Sequence, residues 1–197
     1  MDTIKDNDLV SIIKAIRSLA NDQLEEAKRA LLTINSDALQ QNRADQLAQV
    51  QTIRHAWSKK HRQSAKRSSV AKDLQEYVFQ RDHYLCCYCG KQTIDLRVLK
   101  ALSKIFPEVF PYQKNWKFGE SHLIYWTHST SIEHVAPVAD GGDNAAENLR
   151  ASCYLCNDVK KDIPLNLLGW KLRPIPTETV EWQGLTEYLP KLMEVKS

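Results

Sequence analysis

The first 89 residues contain neither proline nor glycine; Gly90 is the first glycine and Pro107 the first proline. Both residues punctuate helices, so their absence excludes a turn-rich β fold over this stretch and favours long helices with short connections. Between Gln46 and Lys72 there is no Asp or Glu, while Arg54, Lys59, Lys60, Arg62, Lys66, Arg67 and Lys72 all fall there. A local block of one sign suits contact with phosphates, and it is equally the composition of a solvated helix face or a linker. No apolar run reaches the ~18 residues of a membrane span. Met1 to Ala20 is amphipathic rather than a basic start followed by an apolar block, so a cytoplasmic protein with no membrane partner is expected.

Cysteine is scarce and grouped. The five cysteines form two clusters, Cys86, Cys87 and Cys89, then Cys153 and Cys156. A disulfide framework would scatter them through a small secreted chain, whereas CxxC spacing favours metal. Two such knuckles supply the four soft ligands of a tetrahedral structural zinc: Cys86 and Cys89, then Cys153 and Cys156. The 63 intervening residues exceed zinc-ribbon spacing, so a larger fold must bring the knuckles together. Cys87 is left over as a free thiol, with a register swap against Cys86 the alternative.

What remains is an ordinary globular composition, 43% hydrophobic and 26% charged, with a net charge of +3 too small to imply a partner by itself. A chain of 197 residues can bury one good core and a smaller appended one. Leu9, Ile12, Ile13, Ile16 and Leu19 recur at helical spacing, with Asp8 as candidate cap. A second helix carries Leu24, Ala27, Leu31 and Ile34 behind Asn21 or Asp22; a third starts at Ser36 and carries Leu39, Leu47, Val50 and Trp57 into the basic block. Ser68 to Gln80 reads as a fourth, capped by Ser69. Leu96 to Ile105 is a fifth, stopped by Pro107 and Pro111. A last helix near Leu185 to Leu192 is interrupted by Pro190.

The most informative stretch runs from Ser131 to Lys161. It holds Glu133 beside His134, the pair Gly141 and Gly142, Asn148, and then Cys153, Cys156, Asn157 and Lys160. In that order these residues resemble the pattern of the HNH endonucleases, an acid and histidine, a Pro, GG, N-L, and C-x-x-C-N-x-x-K. With the helix, Arg81-Asp82 and the first knuckle upstream, the resemblance covers roughly residues 77–162. The resemblance implies a ββα-metal core in which two short strands and a helix surround one divalent cation. It implies His134 as general base that takes a proton from water, Asn148 holding the loop between the strands, and Glu133 and Asn157 as ligands of the catalytic ion. The hard neutral oxygen of Asn157 points to Mg²⁺ or Mn²⁺ there, beside the structural Zn²⁺. On an extended strand, Glu133 and His134 face opposite sides. Gly141 and Gly142 are expected at positive φ.

The expected fold is α+β and mostly helical. An N-terminal helical region (1–69) would precede an HNH domain (70–168, with an insertion at about 92–130) and a C-terminal extension (169–197) that packs on the core. The expected function is metal-dependent hydrolysis of DNA phosphodiesters, in restriction or defence against foreign DNA. Lys59, Lys60, Arg62, Lys66, Arg67, Lys160 and Lys161 are the candidate phosphate contacts, and His128 is a further one. The N-terminal helices leave room for a homodimer or a partner protein. The competing reading is a zinc-stabilised nucleic-acid-binding or protein-interaction module that does not cut.

Overall fold

The computed structural model describes residues 6–60, 69–115, 117–178 and 180–195. Arg62, Lys66 and Arg67 of the basic block and Trp116 lie outside the described residues, as do the side chains of Lys59 and Lys60. The fold is mostly helical, with one two-stranded antiparallel sheet among the described residues. Its helices are α1 (Asn7–Ala20), α2 (Leu24–Leu32), α3 (Ser36–Lys60), α4 (Lys72–Arg81), α5 (Leu96–Ile105), α6 (Leu123–His128), α7 (Tyr154–Lys160), α8 (Leu165–Leu168) and α9 (Leu189–Glu194). Strands β1 (Thr130–His134) and β2 (Leu149–Cys153) lie between α6 and α7.

The molecule divides into two compact units, residues 1–40 with 94–129 and 185–197, and residues 41–93 with 130–184. This cut differs from the three consecutive segments expected from the sequence. The segment read as an insertion folds with α1 and α2, and the C-terminal extension is shared between the units. The reason is visible in the apolar stripes. Val98, Leu99, Leu102 and Ile105 of α5 are buried, as are Leu9, Ile12, Ile16 and Leu19 of α1, and α9 packs on both helices. Each is an amphipathic helix too short to bury its stripe alone.

Local capping departs from expectation at several ends. Asp6, not Asp8, caps α1 by accepting from the Leu9 amide, and the same carboxylate holds His128. Asp8 instead accepts from the Asn35 amide. Gln23 and Ala71 stand at the N-caps of α2 and α4 without side-chain bonds. Pro190 opens α9 rather than interrupting it, because a proline in the first turn gives up an amide that has no helical partner anyway.

The second unit is organised around α7. Leu155, Val159, Cys153 and Cys156 form its buried core with Val50 of α3 and Cys86, and Leu47, Tyr88, Leu168 and Trp170 pack against them. Arg43 of α3 bonds Asp158 at 2.9 Å. Arg54, further along the same helix, donates to the carbonyls of Asp158 and Val159. Those are orphan acceptors at the end of a helix, where a cation also opposes the negative end of the helix dipole. Part of the basic helix therefore serves to fasten α7.

Candidate metal centre and active site

Cys86 and Cys89 lie on the turn after α4, Cys153 ends β2, and Cys156 sits in the first turn of α7. Their sulfurs all lie within 4.8 Å of one another, with Cys89 and Cys153 3.9 Å apart. A ZnS₄ tetrahedron with bonds of ~2.3 Å has edges of about 3.8 Å, so donor set and spacing fit a structural zinc. Cys87 stands outside the cluster, which closes the register swap. Its amide bonds the Ala151 carbonyl, its own carbonyl accepts from Arg173, and burial pushes its thiol well up from the usual range.

The approach to the first knuckle is held by Arg81 and Asp82. Asp82, almost wholly buried, accepts from Arg150 Nε at 2.8 Å and from the Ala151 amide at 2.7 Å. Arg81 bonds Asp82 and donates to the carbonyls of Ala146 and Leu149. Adjacent side chains thus clamp both the start of β2 and the loop before it. An R-D pair in front of a CxxC offers a sequence signal for this, although the partners lie far away in the chain.

Strands β1 and β2 pair with Glu133 opposite Arg150 and His134 opposite Leu149. The loop between them returns under the control of Asn148. Its Oδ1 accepts from the Ala136 amide at 2.8 Å, and its Nδ2 donates to the carbonyls of Asp143 at 2.8 Å and Ala136 at 3.1 Å. Gly141 adopts φ +87°, as expected. Gly142 does not have the positive φ expected of it; it is required for space, since a Cβ there would lie 1.9 Å from the Ala136 carbonyl oxygen.

His134 ends β1 with its imidazole part-exposed, its Nε2 2.8 Å from Asn144 Oδ1. Its carbonyl accepts from Lys160 Nζ at 3.0 Å. Asn157 donates through Nδ2 to the Ile132 carbonyl at 2.6 Å, which leaves its Oδ1 without a hydrogen bond among the described residues. So α7 grips the backbone of β1 on either side of Glu133.

Several expectations change here. Lys160 is fully buried and its Nζ lies 2.7 Å from Glu133 Oε1, so it cannot reach a phosphate. Glu133, expected as a metal ligand, is itself buried and committed to that ion pair. Its Oε2 is buried, and the buried Tyr88 hydroxyl faces the same carboxyl and helps hold its pKa down. Burial pushes the carboxyl up to about 7, with Lys160 holding it back. Lys161 is about half exposed and pairs loosely with Asp158 at 3.5 Å. His128, expected as a further phosphate contact, is completely buried between Asp6 and Thr127 in the other unit, at 2.8 and 2.7 Å.

An antiparallel hairpin running directly into a helix, with four cysteines placed to hold a metal ion at the junction, defines a ββα domain. Residues 116–162 match the family model described as HNH endonuclease. The matched segment contains His134, Asn148, Cys153, Cys156 and Asn157, and leaves the first knuckle outside it. No curated protein and no solved structure matches the chain. No helix among the described residues is long and apolar enough to cross a membrane.

Proposed function

We propose that the protein is an endonuclease that hydrolyses DNA phosphodiester bonds, with His134 as the general base. The observation that carries the reading is the placement of a part-exposed imidazole at the end of β1, beside a loop fastened by Asn148 and next to a helix whose side chains hold the backbone of the strand. A phosphodiester yields when a water oxygen attacks phosphorus, the water proton passes to a base, and the ester oxygen departs and is protonated from solvent. A neutral imidazole suits the proton acceptor at physiological pH. The Oδ1 of Asn157, not hydrogen-bonded among the described residues, and the carboxylate of Glu133 are the oxygens that would hold Mg²⁺ or Mn²⁺. Such an ion, when bound, neutralises charge on the phosphate. Glu133 would have to turn from Lys160 to serve it.

DNA is the proposed substrate, the zinc being structural and restriction or defence the setting. The basic run through Lys59, Lys60, Arg62, Lys66 and Arg67, with Lys161, is the proposed phosphate-contacting surface. Plasmid cleavage by the wild type and by His134→Ala, each with Mg²⁺, with Mn²⁺ or without divalent ion, tests the reading. Cutting by the wild type with metal alone, and zinc and DNA binding retained by an inactive variant, is the expected result. Equal cutting by both proteins removes His134 from the role. Binding without cutting by the wild type returns the protein to a zinc-stabilised binding module.

A further inference from the structure

Among the described residues the imidazole of His134 has one partner, Asn144 Oδ1, 2.8 Å from Nε2. A carbonyl oxygen can only accept, so Nε2 carries the proton and Nδ1 the lone pair. Nδ1 makes no hydrogen bond among the described residues. Asn144 is itself held from both sides in the chain. Asn148 Nδ2 bonds the carbonyl of Asp143, the Asn148 amide bonds the carbonyl of Ala145, and Asp143 Oδ1 accepts from the Ala145 amide. The loop folds so close on itself that Gly142, against the Ala136 carbonyl, has no room for a side chain.

We propose that Asn144 is the positioning residue of the site: it holds His134 in the tautomer that presents Nδ1, not Nε2, to the water, and Asn148 acts on the base through it. This rests on His134 being the general base. It gives the loop a chemical purpose, since tethering Asp143 and Ala145 places the one amide oxygen that decides which ring nitrogen is basic. A water proton then moves to Nδ1, and the resulting imidazolium is stabilised by the same carbonyl oxygen at Nε2.

The tautomer can be read without turnover. In the full chain labelled with ¹⁵N-histidine, the resonances missing from His134→Ala identify the ring, and Nε2 is expected to be the protonated nitrogen. Asn144→Ala should lose that preference and lower the single-turnover cleavage rate by about 10–100-fold, the usual effect of losing the partner that orients a working histidine, with DNA affinity unchanged. Asn144→Asp keeps an acceptor, so it should restore the Nε2-protonated form. Protonation on Nδ1 in the wild type overturns the proposal, as does an Asn144→Ala variant with wild-type spectrum and rate while His134→Ala is inactive. If His134→Ala cuts like the wild type, the general-base reading fails, and the spectra alone then decide whether Asn144 holds the ring.

Discussion

Lys160 Nζ, with no exposed surface, sits 2.7 Å from Glu133 Oε1 and 3.0 Å from the carbonyl of His134, so one ammonium joins the C-terminal end of α7 to the last two residues of β1. Both charges have left water, and burial rather than attraction dominates the carboxyl, which is raised to about 7. A buried pair of this kind is costly to break because the surviving partner keeps its desolvation penalty.

Lys160→Met is expected to destabilise the protein by about 3–5 kcal/mol near neutral pH, and less in mild acid, where Glu133 can discharge itself by taking a proton. The sign follows from linkage. A carboxyl raised in the folded state binds more protons there than in the unfolded chain. Its stabilising effect is therefore complete below the ordinary value of 4.5 and is lost as pH rises through about 7. Without Lys160 the folded value rises further, so the gap between variant and wild type should widen from about pH 5 to pH 8. Thermal melts of the two proteins side by side measure it; a gap that narrows with pH would contradict the assignment.

Zinc content should follow the sulfur cluster and not the cysteine count. Cys153→Ser and Cys89→Ser are expected to lose bound zinc and to melt at lower temperature, because the ion joins segments far apart in sequence and its binding free energy is folding free energy. Cys87→Ser should retain one zinc per chain, as Cys87 lies outside the cluster. Elemental analysis of the purified variants decides the matter, and loss of zinc from Cys87→Ser would place the metal elsewhere.

The two glycines of the β1–β2 loop should respond differently to alanine. At Gly141 a Cβ meets nothing within 4 Å, so Gly141→Ala carries only the strain of φ +87°, about 1–2 kcal/mol. At Gly142 the new atom would fall 2.7 Å from the Ala136 carbonyl carbon and closer still to its oxygen, both backbone. Gly142→Ala must therefore displace the loop, pulling Asn148 from Ala136 and Asn144 from His134. A cleavage rate reduced far more than stability in Gly142→Ala, and the reverse balance in Gly141→Ala, is the expected pattern.

The contrast between these residues shows what is legible in the chain. The convergence of the four cysteines is written in local spacing, as two CxxC knuckles, and the described residues of the long proline- and glycine-free start are mostly helical. The hairpin and α7 are also readable as a family pattern, over residues that the family model matches. Burial of a lysine is different in kind. Lys160 and Lys161 are neighbours of the same type, yet one is enclosed and the other half exposed, because only Lys160 projects between α7 and β1. Nothing in the order of letters marks that. Asn144 escapes a reading of the sequence because a loop amide next to a glycine pair looks like turn chemistry until the ring it faces is located. Adjacency alone would group the segment after the first knuckle with the ββα domain, whereas its apolar stripe is satisfied by α9 and packs in the unit that holds α1.

Positive charge from Arg54 onward in the sequence has two expected uses. Arg54 donates to the carbonyls of Asp158 and Val159, so Arg54→Ala should lower stability and leave the salt dependence of DNA affinity nearly as it was. Lys59, Lys60, Arg62, Lys66 and Arg67 follow it in a stretch without a single acid. Neutralising those five should instead leave the melting temperature close to that of the wild type and flatten the plot of log affinity against log salt. Every phosphate that goes unneutralised takes ~0.9 from the slope on duplex DNA, because its condensed counterions are no longer released on binding. An unchanged slope would make the segment a solvated face, and the positive charge that meets DNA would then have to lie elsewhere, with the half-exposed Lys161 beside the site the first place to look.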